Sequence, residues 1–332
     1  MRAAVAESLG APLVLRDLPM PVAGPGEVVL QVAACGVCFT DVRIVDALGG
    51  PAMPLVPGHE AVGVIAEVGT GVTGVVVGDR VGVHALFVCG ECNYCRRGED
   101  EACVRGFGCL AGLASDGGYA EFMRLPAHRV VPLPAELSFA DAAPFFCAGL
   151  TVYAALRNGN LEPGQRVAVI GIGGLGHLAI SIATAMGAEV YAVTSSADKV
   201  DLALRLGASF AGHAADMAAV LRDQGGAHVA LQTANSLDPL ATLVPSMAKQ
   251  SSIVLVAADG AVLPIDPSMF MALQLRVVGS FFGSRQDLVD VLALAVAHDI
   301  RPIVERFPLA QINAAHARLR DNQIRYRAVL EL

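Results

Sequence analysis

The 332-residue chain contains no tryptophan, few aromatic residues (5%) and charge on only 16% of its positions. An average soluble domain carries about 25% charged residues. Set beside a hydrophobic content of 54%, this scarcity excludes disorder, which needs low hydrophobicity and high charge. Positive charge is scarcer still. The 23 Lys and Arg face 31 Asp and Glu for a formal net charge of −8, which speaks against a basic nucleic-acid-binding surface. No uninterrupted apolar run reaches the ~18 residues of a membrane span. The N-terminus offers Arg2 and then Glu7 and Pro12 before any long apolar stretch, unlike a secretory signal. Low-complexity segments and internal repeats are absent as well. These absences predict a cytoplasmic globular protein with neither nucleic acid nor membrane as partner. At roughly 150 residues per domain, the length suggests about two domains.

The first part of the chain reads as short β-type runs, Ala3–Ala6 and Val28–Ala33, broken by Pro19, Pro21, Pro25 and Gly26. From Ala61 to Val83 the runs are rich in Val and punctuated by glycines. Many short strands with frequent turn signals predict an antiparallel β domain of barrel type. The texture changes near residue 138, where Ser138 and Asp141 predict the start of a helix running through Ala142 to Leu156. Beyond it, strands are expected at Arg166–Gly171, Glu189–Val193, His228–Gln232, Ile253–Ala257 and Leu275–Val278, with helices such as Leu178–Met186 and Ala215–Leu221 between them. Strands alternating with helices mean βαβ units and a parallel sheet. After Gly283 one or two helices (Asp287–His298) and a strand, Ala328–Leu332, are expected. A last strand that rejoins the first domain would make the parallel-sheet domain an insertion.

Gly171-Ile-Gly173-Gly174-Leu175-Gly176 follows the apolar strand directly and opens a helix. Such a glycine turn alone is a weak signal. Strand, glycines, helix and second strand within about 30 residues form the dinucleotide-binding context. The glycines permit a tight turn and close backbone approach, and the helix N-terminus offers N–H groups to a pyrophosphate. An acidic residue at the end of the second strand would bind the ribose 2′-OH of NAD. Here the chain reads Thr194-Ser195-Ser196-Ala-Asp198-Lys199. Hydroxyls and a lysine suit a 2′-phosphate and favour NADP over NAD, although Asp198 pulls the other way. The same hydroxyls could instead cap the next helix.

Eight cysteines stand out in a chain expected in a reducing compartment, where clustered cysteines point to metal or catalysis. Cys89-x2-Cys92-x2-Cys95-x7-Cys103 offers four thiolates from one loop. Such a tetrahedral set has no open position and serves to stabilise the fold.

Together these motifs, with Gly36-Val-Cys38-Phe39-Thr40-Asp41, Pro57-Gly58-His59-Glu60-Ala-Val-Gly63 and Cys147-Ala-Gly-Leu-Thr151-Val-Tyr, resemble the zinc-dependent alcohol dehydrogenases of the medium-chain dehydrogenase/reductase superfamily. The match runs in order along nearly the whole chain. It implies a GroES-like β-barrel catalytic domain over residues 1–150 and 285–332 that holds both zinc sites. A Rossmann domain with a doubly wound parallel sheet would be inserted over 151–284, with the active site in the cleft between the two. Cys38, His59 and Cys147, which spacing alone does not single out, would hold a catalytic zinc with an open fourth position. The resemblance makes Glu60 an alternate ligand, Asp41 the acceptor that orients His59 and Thr40 the group that passes on the alcohol proton. Thr151 would lie near the nicotinamide and Arg327 on the cofactor pyrophosphate. Two zinc ions per chain and a homo-oligomer follow, a tetramer rather than a dimer because the structural loop is short.

Two departures stand out. Where many tetrameric members read Cys-His-Thr-Asp-Leu-His, this chain has Phe39 in place of a cation near the pyrophosphate and Arg43 in place of the histidine that ends the proton relay. Arginine stays protonated and shuttles protons poorly, so release of the alcohol proton should slow. The function expected is reversible hydride transfer between NAD(P) and an alcohol, aldehyde or ketone. Two alternatives stay open: reduction of an activated C=C or C=N bond, and a zinc- and dinucleotide-binding redox sensor or scaffold. Phe39, Leu48, Leu86, Phe107 and Phe281 are candidate linings of an apolar substrate pocket.

Overall fold

The computed structural model describes residues 1–47, 50–257, 262–263 and 265–332. The chain divides into two compact units, Met1–Cys147 with Ser284–Leu332, and Ala148–Gly283. Seven strands lead: β1 (Arg2–Val5), β2 (Val14–Asp17), β3 (Glu27–Val37), β4 (Glu60–Val68), β5 (Arg80–Val83), β6 (Phe122–Pro126) and β7 (Val130–Pro132). The second unit holds β8 (Arg166–Ile170), β9 (Glu189–Val193), β10 (Phe210–Gly212), β11 (Ala227–Gln232), β12 (Met247–Leu255) and β13 (Arg276–Gly279). The chain returns to the first unit through β14 (Val304–Pro308) and β15 (Arg327–Glu331).

In the first unit β14-β15-β3-β4-β5-β7 form one sheet, with β6 also paired to β3. The eleven residues of β3 are long enough to take two partners along one edge. Residues Glu27–Gln31 pair with β6, and Ala34–Val37 pair with β15. On its other edge β3 pairs with β4, with register shifts at Val29/Leu30 and Val32/Ala34. Such irregularities bend a strand and raise its twist, which curls the sheet around a core that includes Leu30, Ile65, Leu125 and Phe146, all fully buried. The antiparallel β15–β3 pairing is the strand return anticipated from the C-terminal sequence.

The second unit is a six-stranded, all-parallel sheet in the order β10-β9-β8-β11-β12-β13. Val167, Ala168, Val169 and Ile170 of β8 are all completely buried, as expected for a strand covered on both faces. The chain moves outward from β8 to β10, then starts again beside β8 with β11. That reversal places the switch point of the sheet between the ends of β8 and β11, where open α/β sheets bind ligands. Thr233, just past β11, ties the two strand ends together: its N–H donates to the carbonyl of Ile170 (3.0 Å) and its hydroxyl to that of Gly171 (2.7 Å).

The helix expected from residue 138 onward is a correction. Ser138 does cap it, accepting from the Asp141 N–H, but the segment is three pieces: Phe139–Ala142, a 3₁₀ turn Ala143–Phe146, and Ala148–Asn158. Pro144 has no N–H to continue the ladder, and Cys147 sits at φ −135°, ψ −73°, outside the helical region. No single helix among the described residues is long and apolar enough to cross a membrane.

Candidate active site and metal centres

One cluster forms at the ends of β3 and β4. Cys38 follows β3 and caps the helix Phe39–Val45, its sulfur accepting from the Thr40 N–H. His59 immediately precedes β4, whose first residue is Glu60. Cys147 lies at the helix break just described. The ligand atoms of Cys38, His59, Glu60 and Cys147 all fall within 4.8 Å of one another. The sulfurs of Cys38 and Cys147 are 3.9 Å apart. Two sulfurs about 2.3 Å from a tetrahedral zinc lie about 3.8 Å apart, so the spacing fits that ion.

Asp41, completely buried, reaches the Nδ1 of His59 at 2.7 Å. Its second oxygen accepts from the Cys38 N–H and from the hydroxyl of Tyr119, each at 3.0 Å. With Nδ1 so engaged, Nε2 is the ring nitrogen left to a metal. Burial works to lower the His59 pKa, but the Asp41 carboxylate overrides it and holds it well above the ordinary range. Cys38 is held well below the usual thiol range, first by the hydrogen bond from Cys147 and then by His59 and Arg327.

Glu60 is reached across β3. Its register partner is Gly36, and a methyl group at Gly36 would collide with the Glu60 carboxylate. The bare glycine therefore lets the Glu60 side chain cross toward β15, where it pairs with Arg327. Burial raises the Glu60 pKa to about 7 against the pull of the Arg327 cation. One carboxylate oxygen is taken by Arg327, while the other, Oε2, is buried without a hydrogen-bond partner among the described residues. An orphaned carboxylate oxygen beside two thiols and an imidazole suits a bound dication, since an unpartnered buried charge is costly.

The second cluster is the loop Cys89–Cys103. Its sulfurs lie 3.8 Å (Cys89–Cys95), 3.5 Å (Cys92–Cys95) and 3.7 Å (Cys89–Cys103) apart, again near a tetrahedral zinc spacing. Backbone N–H groups point at the sulfurs, as Cys92 does toward Cys89 at 3.4 Å. Those of Cys95 and Val104 help lower the Cys92 thiol to about 6. The lobe is tied to the barrel by a buried ion pair between Asp100 and Arg129 at 2.9 Å.

In the second unit, Gly171 adopts φ +91°. A methyl at Gly176 would strike the Gly171 carbonyl, whereas one at Gly173 would meet nothing within 4 Å. Leu175 caps the following helix without a side-chain oxygen, which leaves its first N–H groups to a ligand. Gly174 and Thr151 are half-buried. At the end of β9, Thr194 is buried and its hydroxyl accepts from the Ser196 N–H, while Ser195 is exposed and Lys199 half-buried.

These two sets of features have counterparts in known proteins. Residues 24–135 match the alcohol dehydrogenase GroES-like domain and residues 174–297 the zinc-binding dehydrogenase domain. An alcohol dehydrogenase of Geobacillus stearothermophilus is 41% identical over all of both chains. The chain belongs to the zinc-dependent alcohol dehydrogenase family. An NADP-dependent alcohol dehydrogenase C of Mycolicibacterium smegmatis is 34% identical, covering 98% of this chain and 96% of its own. The crystal structure of an alcohol dehydrogenase from Aeropyrum pernix superimposes with a TM-score of 0.87 at 32% identity over 100% of both chains. The reaction is accordingly that of the family: reversible, NAD(P)-dependent oxidation of an alcohol to its carbonyl by hydride transfer.

Arg327, expected on the cofactor pyrophosphate, is mostly buried and pairs with Glu60. One expectation needs adjustment. Leu86, read as a pocket residue, is 1% exposed within the core of the first unit. Phe39 is 45% exposed and Phe281, in the other unit, 47%. Leu48 lies outside the described residues, as does the side chain of Phe107. Cys35 and Cys109, without an assigned role, are both buried. Gly36, Tyr119 and Thr233 escaped sequence reasoning as site residues; the two motif blocks around Cys38 and His59 were the available signal for Gly36 alone.

Proposed function

We propose that this alcohol dehydrogenase carries two zinc ions per chain, a catalytic one on Cys38, His59 and Cys147 and a structural one on Cys89, Cys92, Cys95 and Cys103. The observation that carries the reading is the convergence of Cys38, His59, Glu60 and Cys147 within 4.8 Å. It is joined by the unpartnered Oε2 of Glu60, which makes Glu60 the alternate ligand. When bound, zinc would polarise an alcohol or carbonyl oxygen, and the nicotinamide would accept or deliver hydride.

The chain's own residues do the rest. Asp41 fixes the His59 ring and its tautomer. Thr40, half-buried on the first turn after Cys38, takes the alcohol proton toward solvent. Arg43, exposed two positions before the end of that helix, cannot accept it, because a guanidinium does not deprotonate. Gly171, Gly173, Gly174, Leu175 and Gly176 hold the pyrophosphate, with Arg327 contributing charge and Thr151 lying beside the nicotinamide. Thr194, Ser195, Ser196 and Lys199 receive a 2′-phosphate and favour NADP. The Thr194 hydroxyl accepts a turn hydrogen bond and still has its own proton to donate, and the Mycolicibacterium relative named above is NADP-dependent.

Thiolate ligands need a reducing compartment, in keeping with the cytoplasm. The edge strand β13 leaves Val277 43% exposed, next to a helix with Met271 at 74%. A bare apolar strand edge is a surface for pairing, which supports a homo-oligomer, read here as a tetramer. Metal analysis with coenzyme kinetics on an aldehyde and a ketone tests the reading. Two zinc per chain, one per chain and no turnover in Cys147→Ser, and a higher kcat/KM with NADPH than NADH are expected. One zinc in the native protein, or a preference for NADH, overturns the corresponding claim.

A further inference from the structure

The sequence motifs end at Asp41, but the structure continues the chain of contacts one residue further. Tyr119 is completely buried. Its hydroxyl donates to Asp41 Oδ2 at 3.0 Å, the carboxylate oxygen that does not touch His59. The same residue grips the His59 turn from its backbone side. Its N–H donates to Pro57 O (3.0 Å), while Gly118 and Gly117 donate to Gly58 O (2.8 Å) and Val56 O (2.7 Å). Its ring lies against Gly58, where φ is +102° and an added methyl would come within 2.8 Å of Cε1. Ala4 in turn holds the Tyr119 carbonyl at 2.8 Å. Tyr119 thus touches both the backbone that carries His59 and the carboxylate that orients it.

A phenylalanine would fill the same volume against Gly58. The hydroxyl adds the second of two donors on Asp41 Oδ2, the other being the Cys38 N–H. Without it the buried carboxylate keeps one donor on that oxygen and can rotate or withdraw from His59 Nδ1, because a charged acceptor in a dry site is held in place by its hydrogen bonds.

We propose that Tyr119 is a positioning residue for metal retention, locking Asp41 so that the His59 imidazole is presented with Nε2 toward the Cys38–Cys147 pair. The inference rests on the catalytic-zinc reading given above. Removal of outer hydrogen-bond partners of a metal-binding histidine lowers metal affinity by about 10–100-fold.

Zinc release from the full-length, zinc-loaded enzyme to a chromogenic chelator tests it. The phase belonging to the catalytic group is the one that Cys147→Ser abolishes. Tyr119→Phe is expected to speed that phase by about tenfold and leave the four-cysteine phase unchanged. Asp41→Asn should also speed it, and the double variant should release no faster than Asp41→Asn alone, because the hydroxyl acts through the carboxylate. If Tyr119→Phe releases zinc at the native rate while Asp41→Asn is fast, the role of Tyr119 is refuted and the site reading stands. Equal acceleration of both phases by Tyr119→Phe refutes it too, since that is general loosening. If Asp41→Asn releases at the native rate, coupling through Asp41 is absent and the proposal fails while the site reading stands; if no phase depends on Cys147, the catalytic-zinc reading itself fails and the proposal with it.

Discussion

Two glycines three residues apart separate what the protein needs from what its cofactor needs. At Gly176 an added methyl would lie closer than 3.0 Å to the Gly171 carbonyl oxygen, 2.9 Å from its carbon and 3.1 Å from Thr233 Oγ1. The obstacle is backbone, held by the two Thr233 hydrogen bonds at the switch point, so it cannot swing aside as a side-chain end would. Helix Gly176–Ala185 must move off β8 to make room. Overpacking of this kind costs about 1–3 kcal/mol, and a backbone obstacle puts it near the top of that range. The helix propensity gained on replacing glycine, about 1 kcal/mol, offsets only part. A net loss of about 2 kcal/mol lowers Tm by roughly 6 °C in a unit of this size.

Gly173 has nothing within 4 Å of the same position and a negative-φ backbone, so alanine there leaves Tm unchanged without cofactor. Its methyl would point into the space a pyrophosphate approaches, and cofactor affinity should fall tenfold or more, about 1.4 kcal/mol. Thermal melting of the cofactor-free variants, paired with nicotinamide fluorescence titration, checks both halves. A Gly176→Ala protein that melts with the native one, or a Gly173→Ala protein that binds cofactor normally, would refute the division of labour.

Asp100→Asn should lower the urea midpoint by an amount equivalent to about 3 kcal/mol, because it strands the buried Arg129 cation; an unchanged midpoint would mean that the other partners of Arg129, the Leu86 carbonyl at 3.2 Å and the His84 ring at 3.4 Å, suffice for it. Burial lowers the His316 pKa from 6.5 to about 4. Between those values the unfolded chain binds a proton that the folded chain refuses, so this contribution is complete above pH 6.5 and lost as pH falls toward 4, up to about 3 kcal/mol. His316→Gln should flatten the fall in urea midpoint between pH 7 and pH 5, and a slope equal to that of the native protein would count against it. Lys199→Ala should raise the KM for NADPH about tenfold with that for NADH unchanged; parallel changes for both coenzymes would remove Lys199 from the phosphate site.

What could be read in advance follows from where each signal is carried. The strand at Glu189–Val193 appears at the expected residues, and β8 differs from expectation by one, because strands buried on both faces must be continuous apolar runs. The four-cysteine loop was equally legible, since all its donors are local. The strands β2, β6, β7, β10 and β14 escaped notice. They are three to five residues long, and several alternate buried with exposed positions too briefly to establish a period of two. The break at Cys147 escaped for a different reason. Alanine, phenylalanine and leucine on both sides favour a helix locally, and the single Pro144 marks an interruption without stating how long it lasts. That interruption is what lets Cys147 meet Cys38 from a separate segment.

The pairing of Glu60 with Arg327 shows the limit most clearly, because it joins residues 267 positions apart past a glycine that has no side chain to signal its part. Gly36 sits on the strand between them, and only the register of β15, β3 and β4 reveals that a missing side chain there is what opens the path. Family likeness assigned Arg327 to the cofactor and Glu60 to the metal separately. The geometry joins Arg327 and Glu60 directly: one carboxylate oxygen is held by the guanidinium, and the other has no hydrogen-bond partner among the described residues. Substituting Gly36 with alanine would therefore disturb the Glu60 carboxylate without touching either partner, and should weaken the ion pair and the metal group together. A change confined to one of them would mean that Glu60 serves its two neighbours independently.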